Sequence, residues 1–151
     1  MPRGQAATRE SAREVVEEFA LGFDPRLPME DRLALADRFL REGRNEIARG
    51  RATSNDVTER EGYEKVFHAL EEACLARLQK YGIDAPTTHD GIRRGLTTIG
   101  DVRLTSAFDD AFAALHVLGY YRGWGERKKT DPVVADVAKS IESIRRVVKR
   151  S

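Results

Sequence analysis

Three features of the sequence predict an all-α fold. Apolar residues recur at three- and four-residue steps through successive long stretches. The aromatic and β-branched runs typical of strands are missing. Gly, Pro and cap-forming Asp and Thr residues punctuate the stretches. A chain of 151 residues, 40% hydrophobic and 34% charged, has material for one core. The expected architecture is an up-and-down helical bundle of four to five helices over residues 28–151, preceded by an N-terminal helical arm over residues 1–27.

In the arm, residues 8–21 place Ala12, Val15, Val16, Phe19 and Ala20 on one side of a short amphipathic docking helix. G-F-D-P-R-L-P ends it, because Pro25 and Pro28 each disfavour helical geometry in the residue before them. A second helix starts near Pro28 or Met29, with Glu30 and Asp31 in a first turn that favours negative charge, and Gly50 offers its end. Leu33, Ala36, Phe39, Leu40 and Ile47 form its inner stripe, while Arg38, Arg41, Arg44, Arg49 and Arg51 read as a solvated outer face.

Thr58 and Glu61 have the spacing of a capping box, so a third helix begins there or slightly earlier and runs to Gly82, a left-handed stop. Tyr63, Val66, Phe67, Leu70, Ala73, Cys74, Leu78 and Tyr81 keep its helical period. Thr87 or Thr88 caps a short fourth helix through Ile92, Leu96 and Ile99.

Residues 105–125 read as one long, central helix. Phe108, Phe112, Leu115 and Gly119 form one stripe, and Ala107, Ala111, Ala114, Leu118 and Tyr121 an adjoining one. This helix also carries His116, Tyr120, Tyr121 and Arg122, where imidazole, phenol and guanidinium groups crowd together. In the last helix, Asp131 is expected to cap and Pro132 to occupy the first turn, with Val133, Val137, Ile141, Ile144 and Val148 inward.

Composition narrows the function. Cys74 stands alone, so no intrachain disulfide forms, and its apolar setting suggests a core residue in a reducing compartment. No run of about 18 apolar residues exists to span a membrane, and the N-terminus has no signal-peptide core, so a cytoplasmic location is expected. The net charge of +1 hides nine Lys or Arg against four Asp or Glu from Arg122 onward. That basic end suits a helix C-terminus and could also meet nucleic acid. The glycines of G-Y-Y-R-G-W-G follow a helix, not a strand, which excludes a dinucleotide fingerprint, and no G-K-[ST] is present for a P-loop.

Several segments in order, R-E-G-R-N-E-I-A-R-G, E-G-Y-E-K-V-F-H-A-L-E-E-A-C-L-A-R-L, T-T-H-D-G-I, A-A-L-H-V-L-G-Y-Y-R-G and D-P-V-V-A-D-V, carry a resemblance. Over roughly residues 28–148 the chain resembles the HEPN superfamily, in particular its PaREP1-type proteins. The resemblance implies a helical bundle that forms homodimers. Leu115, His116 and Tyr121 fill a late-helix segment, with Arg122 where the family usually has an acidic residue.

Many HEPN proteins are metal-independent ribonucleases, some of them toxins paired with an antitoxin protein. Their site is an Arg followed four to six residues later by His. Here the residues five, six and seven before His116 are Ala111, Asp110 and Asp109, so the Arg is missing. RNA cleavage through the 2′-hydroxyl needs a proton acceptor and a cation for the phosphorane charge.

Two readings therefore stand. The first is a non-catalytic dimeric module that binds a nucleotide, RNA or a protein partner through His116, Tyr120, Tyr121, Arg122 and Trp124. The second is a degenerate ribonuclease using His116 with Arg122 or Tyr121. A structural protein-interaction module is a third. Glu64, Glu71 and Glu72 lie at metal-ligand spacing around His68, but no second helix repeats the unit, so no metal and no cofactor is assigned and His68 reads as an ordinary half-exposed histidine. His89 reads as serving a helix start or an inter-helix hydrogen bond.

Overall fold

The computed structural model describes residues 27–123 and 126–150. The expected arm helix, and Trp124 of the candidate binding set, lie outside these residues. The described chain is helical without strands: α1 (Met29–Ala52), α2 (Asp56–Lys80), α3 (His89–Thr98), α4 (Val102–Ala111) leading directly into a π-helix (Phe112–Tyr121), and α5 (Arg127–Lys149). No described helix is long and apolar enough to cross a membrane.

Residue pairings give the direction of each helix. Gly50 lies against Glu59, Gly43 against Gly62, and Arg32 against Glu72, so α1 and α2 are antiparallel. Glu64 meets His116 and Arg60 meets Tyr120, so the π-helix also opposes α2. Asp37 meets Arg145 and Arg51 meets Asp131, so α5 opposes α1. The four long helical segments thus run up and down, with short α3 at the side.

The centre of this bundle is α2, not the 105–125 stretch. Every other element packs on α2, and from Gly62 to Leu78 all but Lys65 and His68 are buried. The α4 and π-helical segment buries only one side, through Leu104, Phe108, Ala111, Leu115, His116 and Gly119. Tyr121, expected in an apolar stripe, is 64% exposed. Close approach of α1 to α2 depends on paired glycines. A Cβ added at Gly62 would sit 2.7 Å from the Gly43 carbonyl oxygen, and one at Gly43 would sit 2.8 Å from the Gly62 oxygen. No side chain fits between two helix backbones at that separation.

Local signals set several ends as expected. Thr88 accepts from the Gly91 N–H at 3.0 Å to start α3. Gly82, at φ +72°, ends α2, with Ile83 N–H returning to the Leu78 carbonyl. Gly50, expected to end α1, lies inside it, and the helix runs on to Ala52. Three other ends differ from expectation. Asn55, not the Thr58 and Glu61 pair, caps α2 by accepting from Thr58 N–H at 3.2 Å. The late helix starts at Val102, capped by Asp101, which accepts from Leu104 N–H. Finally, α5 starts at Arg127, so Pro132 lies inside it and Asp131 is free of capping duty. Asp131 instead accepts from Arg51 at 2.8 Å. Arg51 is accordingly not a solvated outer residue: it also donates to the Tyr63 hydroxyl at 3.1 Å, and Tyr63 donates to Glu59 at 2.7 Å.

Candidate functional site

All three histidines of the chain come together on two glutamates of α2. His68, also on α2, has Nδ1 2.8 Å from Glu71 Oε1 and Nε2 3.3 Å from Glu64 Oε1. His89, the first residue of α3, places Nδ1 2.5 Å from Glu71 Oε2. His116, on the π-helix, has Nδ1 2.8 Å from both Glu64 oxygens. The His89 and His116 ring centroids are 4.7 Å apart, and Phe67 and Phe112 pack against both rings.

Above them opens a cleft of about 310 Å³ lined by Glu64, His68, Thr87, Thr88, His89, His116, Tyr120 and Tyr121. His68 is half-exposed, as expected, but is one member of a three-histidine cluster. His89 makes the inter-helix hydrogen bond expected of it and lines the cleft as well.

The π-helix shapes one wall. Its i→i+5 hydrogen bonding, continued by Arg122 N–H to the Val117 carbonyl at 3.2 Å, widens the turn so that residues four and five apart share a face. In an α-helix a residue five positions on would lie about 140° around the axis. Here both Tyr120 and Tyr121 meet the His116 ring, with centroids at 6.4 and 4.8 Å. Gly119 lets this segment close on Tyr63, whose ring would lie 3.0 Å from an added Cβ. Arg60 fastens the far end by donating to the Tyr120 and Tyr121 carbonyls at 2.8 and 3.1 Å. Arg122, expected to act beside His116, is exposed and does not line the cleft.

The electrostatics follow from burial. Glu71 is 1% exposed, and burial alone would raise its pKa, but hydrogen bonds from His68 and His89 reverse this and hold it below the ordinary carboxylate value. Burial works against protonation of His68, yet its hydrogen bond to Glu71 and the charges of Glu71 and Glu64 leave its pKa raised. His89 is raised chiefly by its hydrogen bond to Glu71. Burial, reinforced by Glu64, pushes the Tyr120 phenol up. Beneath the cluster, Arg32 Nη1 donates to Glu72 at 3.2 Å, both residues being buried. Burial pushes Glu72 up to about 8 against the pull of Arg32.

Among the described residues, no three His, Cys, Asp or Glu side chains form a group arranged to hold a metal ion. The carboxylates here are spent on imidazoles. Cys74 is fully buried, which drives its thiol pKa well up and keeps it out of reach as a nucleophile. No family model, curated protein or solved structure matches this chain.

The arrangement can exchange protons. A histidine that donates Nδ1–H to a buried carboxylate has its tautomer and orientation fixed and leaves Nε2 as the working atom. His89 and His116 each have such a partner and stand side by side. No local pattern announces this convergence, since the residues lie on three elements and, of the five, only Glu64, His68 and Glu71 share helical spacing.

Proposed function

We propose that the chain is a HEPN-like ribonuclease whose acid–base pair is His89 and His116, with the cleft holding a phosphodiester of single-stranded RNA. One observation carries this reading: two imidazoles 4.7 Å apart between ring centroids, each hydrogen-bonded to a buried glutamate, at the floor of one cleft. His116, kept on Glu64 through Nδ1, accepts the 2′-hydroxyl proton at Nε2. O2′ attacks phosphorus, the P–O5′ bond breaks, and protonated His89 delivers its proton to O5′. The products are a 2′,3′-cyclic phosphate and a 5′-hydroxyl. The raised pKa of His89 suits it to the acid role, and the imidazolium stands in for the Arg that the sequence lacks. Tyr120 and Tyr121 offer rings on which bases can stack.

The test is cleavage of a fluorescent single-stranded RNA, with the cyclic phosphate identified among the products. His89→Ala and His116→Ala should each lower the rate about 10²- to 10⁴-fold. Cleavage unchanged in both variants would end the proposal.

A second reading, the non-catalytic dimeric module binding a nucleotide, RNA or an antitoxin-like protein, is favoured by one observation: no Arg lines the cleft. RNA that binds in a Tyr121-dependent way but is never cut would select it. A homodimer belongs to both readings and is checked by sedimentation; a strict monomer at high concentration counts against it.

A further inference from the structure

A second, separate groove lies where the C-terminal end of α2, the start of α4 and the second half of α5 meet. It encloses about 260 Å³ and is lined by Arg77, Asp101, Arg103, Lys139, Ser140 and Ser143, over a floor that includes Leu104, Ile144 and Val147. Arg77 is nine positions beyond His68 on α2, about 14 Å along the axis, so the groove is distinct from the histidine cleft.

Its donors are in excess. Arg77 is 9% exposed, and its Nη1 is fully buried without a hydrogen-bond partner. The rest of that guanidinium lies over the Tyr81 ring, 4.6 Å from its centroid, with Nε 3.5 Å from Asp101 and Nη2 3.4 Å from the Tyr81 hydroxyl. Asp101 is the one carboxylate of the lining, and its other oxygen already accepts from Leu104 N–H at 3.1 Å. Arg103 and Lys139 have neither an ion pair nor a hydrogen bond to any described side chain. The first turn of α4 adds the positive end of a helix dipole. Three cations, two hydroxyls and a helix N-terminus around one shared carboxylate suit an acceptor with several oxygens and more than one negative charge. Guanidinium forks match phosphate oxygens in spacing.

We propose that this groove binds a phosphate group, with Arg77, Arg103 and Lys139 as its cationic donors and Ser140 and Ser143 as hydroxyl donors. The site does not depend on RNA cleavage in the other cleft.

The experiment is an NMR titration of the full chain with inorganic phosphate, at constant ionic strength in chloride. Parallel titrations use a short 5′-phosphorylated RNA and the same RNA ending in a 5′-hydroxyl. Expected are saturable shifts confined to the amides of 102–104 and 139–144 and to the Arg77 and Arg103 side-chain N–H groups, weakened at least tenfold in Lys139→Glu and in Ser143→Glu. Both variants change exposed positions and should leave the remaining spectrum in place. Tighter binding of the 5′-phosphorylated RNA than of free phosphate identifies a nucleic-acid end as the source. Equal or tighter binding of phosphate alone identifies a free phosphate. A non-saturating response, shifts spread over every basic surface, or shifts that persist undiminished in both variants overturn the proposal. Arg77→Lys serves as a further check: if folded, it should bind phosphate more weakly while leaving the His89 and His116 signals unmoved.

Discussion

Glu71→Gln is the most informative single change, because Glu71 is buried and joins two histidines from different helices. The carboxylate accepts from His68 at 2.8 Å and His89 at 2.5 Å. Each hydrogen bond to a charged group contributes roughly 1.5–3 kcal/mol. The histidine side chains are 23% and 35% exposed, so the lower part of that range applies. Glutamine keeps the shape and one neutral acceptor bond of about 1 kcal/mol. The net loss is then about 2–3 kcal/mol at pH 6, where both imidazoles are protonated, or a Tm drop of roughly 6–9 °C for a chain of this length. Toward pH 9, as pH rises through their raised folded values and the imidazoles lose their charge, the loss should shrink toward about 1 kcal/mol. Thermal unfolding at both pH values, followed by circular dichroism, is the assay. A loss that is the same at pH 6 and pH 9, or below about 1 kcal/mol at pH 6, would refute the charge-assisted cluster and reduce Glu71 to a space-filling residue.

Wild-type stability should be greatest near pH 5 and decline toward pH 8, as read from Tm across buffers. His68 and His89 have raised folded pKa values, so their contribution is whole below 6.5 and is lost as pH rises through those values. Glu71 is depressed, so its contribution is present above 4.5 and lost at lower pH. Glu72, raised from 4.5 to about 8, costs stability progressively between those values. A Tm that rises from pH 6 to pH 8 would contradict the assignments of His68, His89 and Glu72.

Gly62→Ala should destabilise by about 2 kcal/mol in urea denaturation, since overpacking against a helix backbone costs roughly 1–3 kcal/mol or more and outweighs the helix propensity gained. An increase in stability would show that α1 and α2 do not meet at the glycines. Arg60→Ala should speed amide exchange at 119–123 several-fold with little change in the α1 and α2 amides, because it releases the two carbonyls at the end of the π-helix. Tyr121→Ala should alter stability by less than about 0.5 kcal/mol, the side chain being largely exposed, while weakening RNA retention in a filter assay.

Elements whose signals are local were legible in the amino-acid sequence. An apolar repeat at three- and four-residue steps can only be buried by a helix, and Thr88 and Gly82 act through hydrogen bonds within a few residues of themselves. Cys74 was legible as core for the same reason. At the start of α2 the capping-box spacing misled, because Asn55 accepts from the Thr58 N–H in its place. At Pro132 the ion pair of Asp131 with Arg51, remote in sequence, accompanies a helix that starts a turn earlier than expected.

Tertiary structure decided the rest. Which helix is central depends on how many partners surround it, and α2 holds that place although it carries Glu64, Glu71, Glu72 and Arg77 among its buried residues. The three glutamates are buried because partners reach them from α1, α3 and the π-helix, and Arg77 is met by Asp101. The candidate site was legible only at His116, Tyr120 and Tyr121. His68 and His89 were visible as residues, but their convergence depends on chain direction and on glycine-permitted helix approach. The change from α to π turn at Phe112, which no helical period announces, brought both tyrosines to the same imidazole.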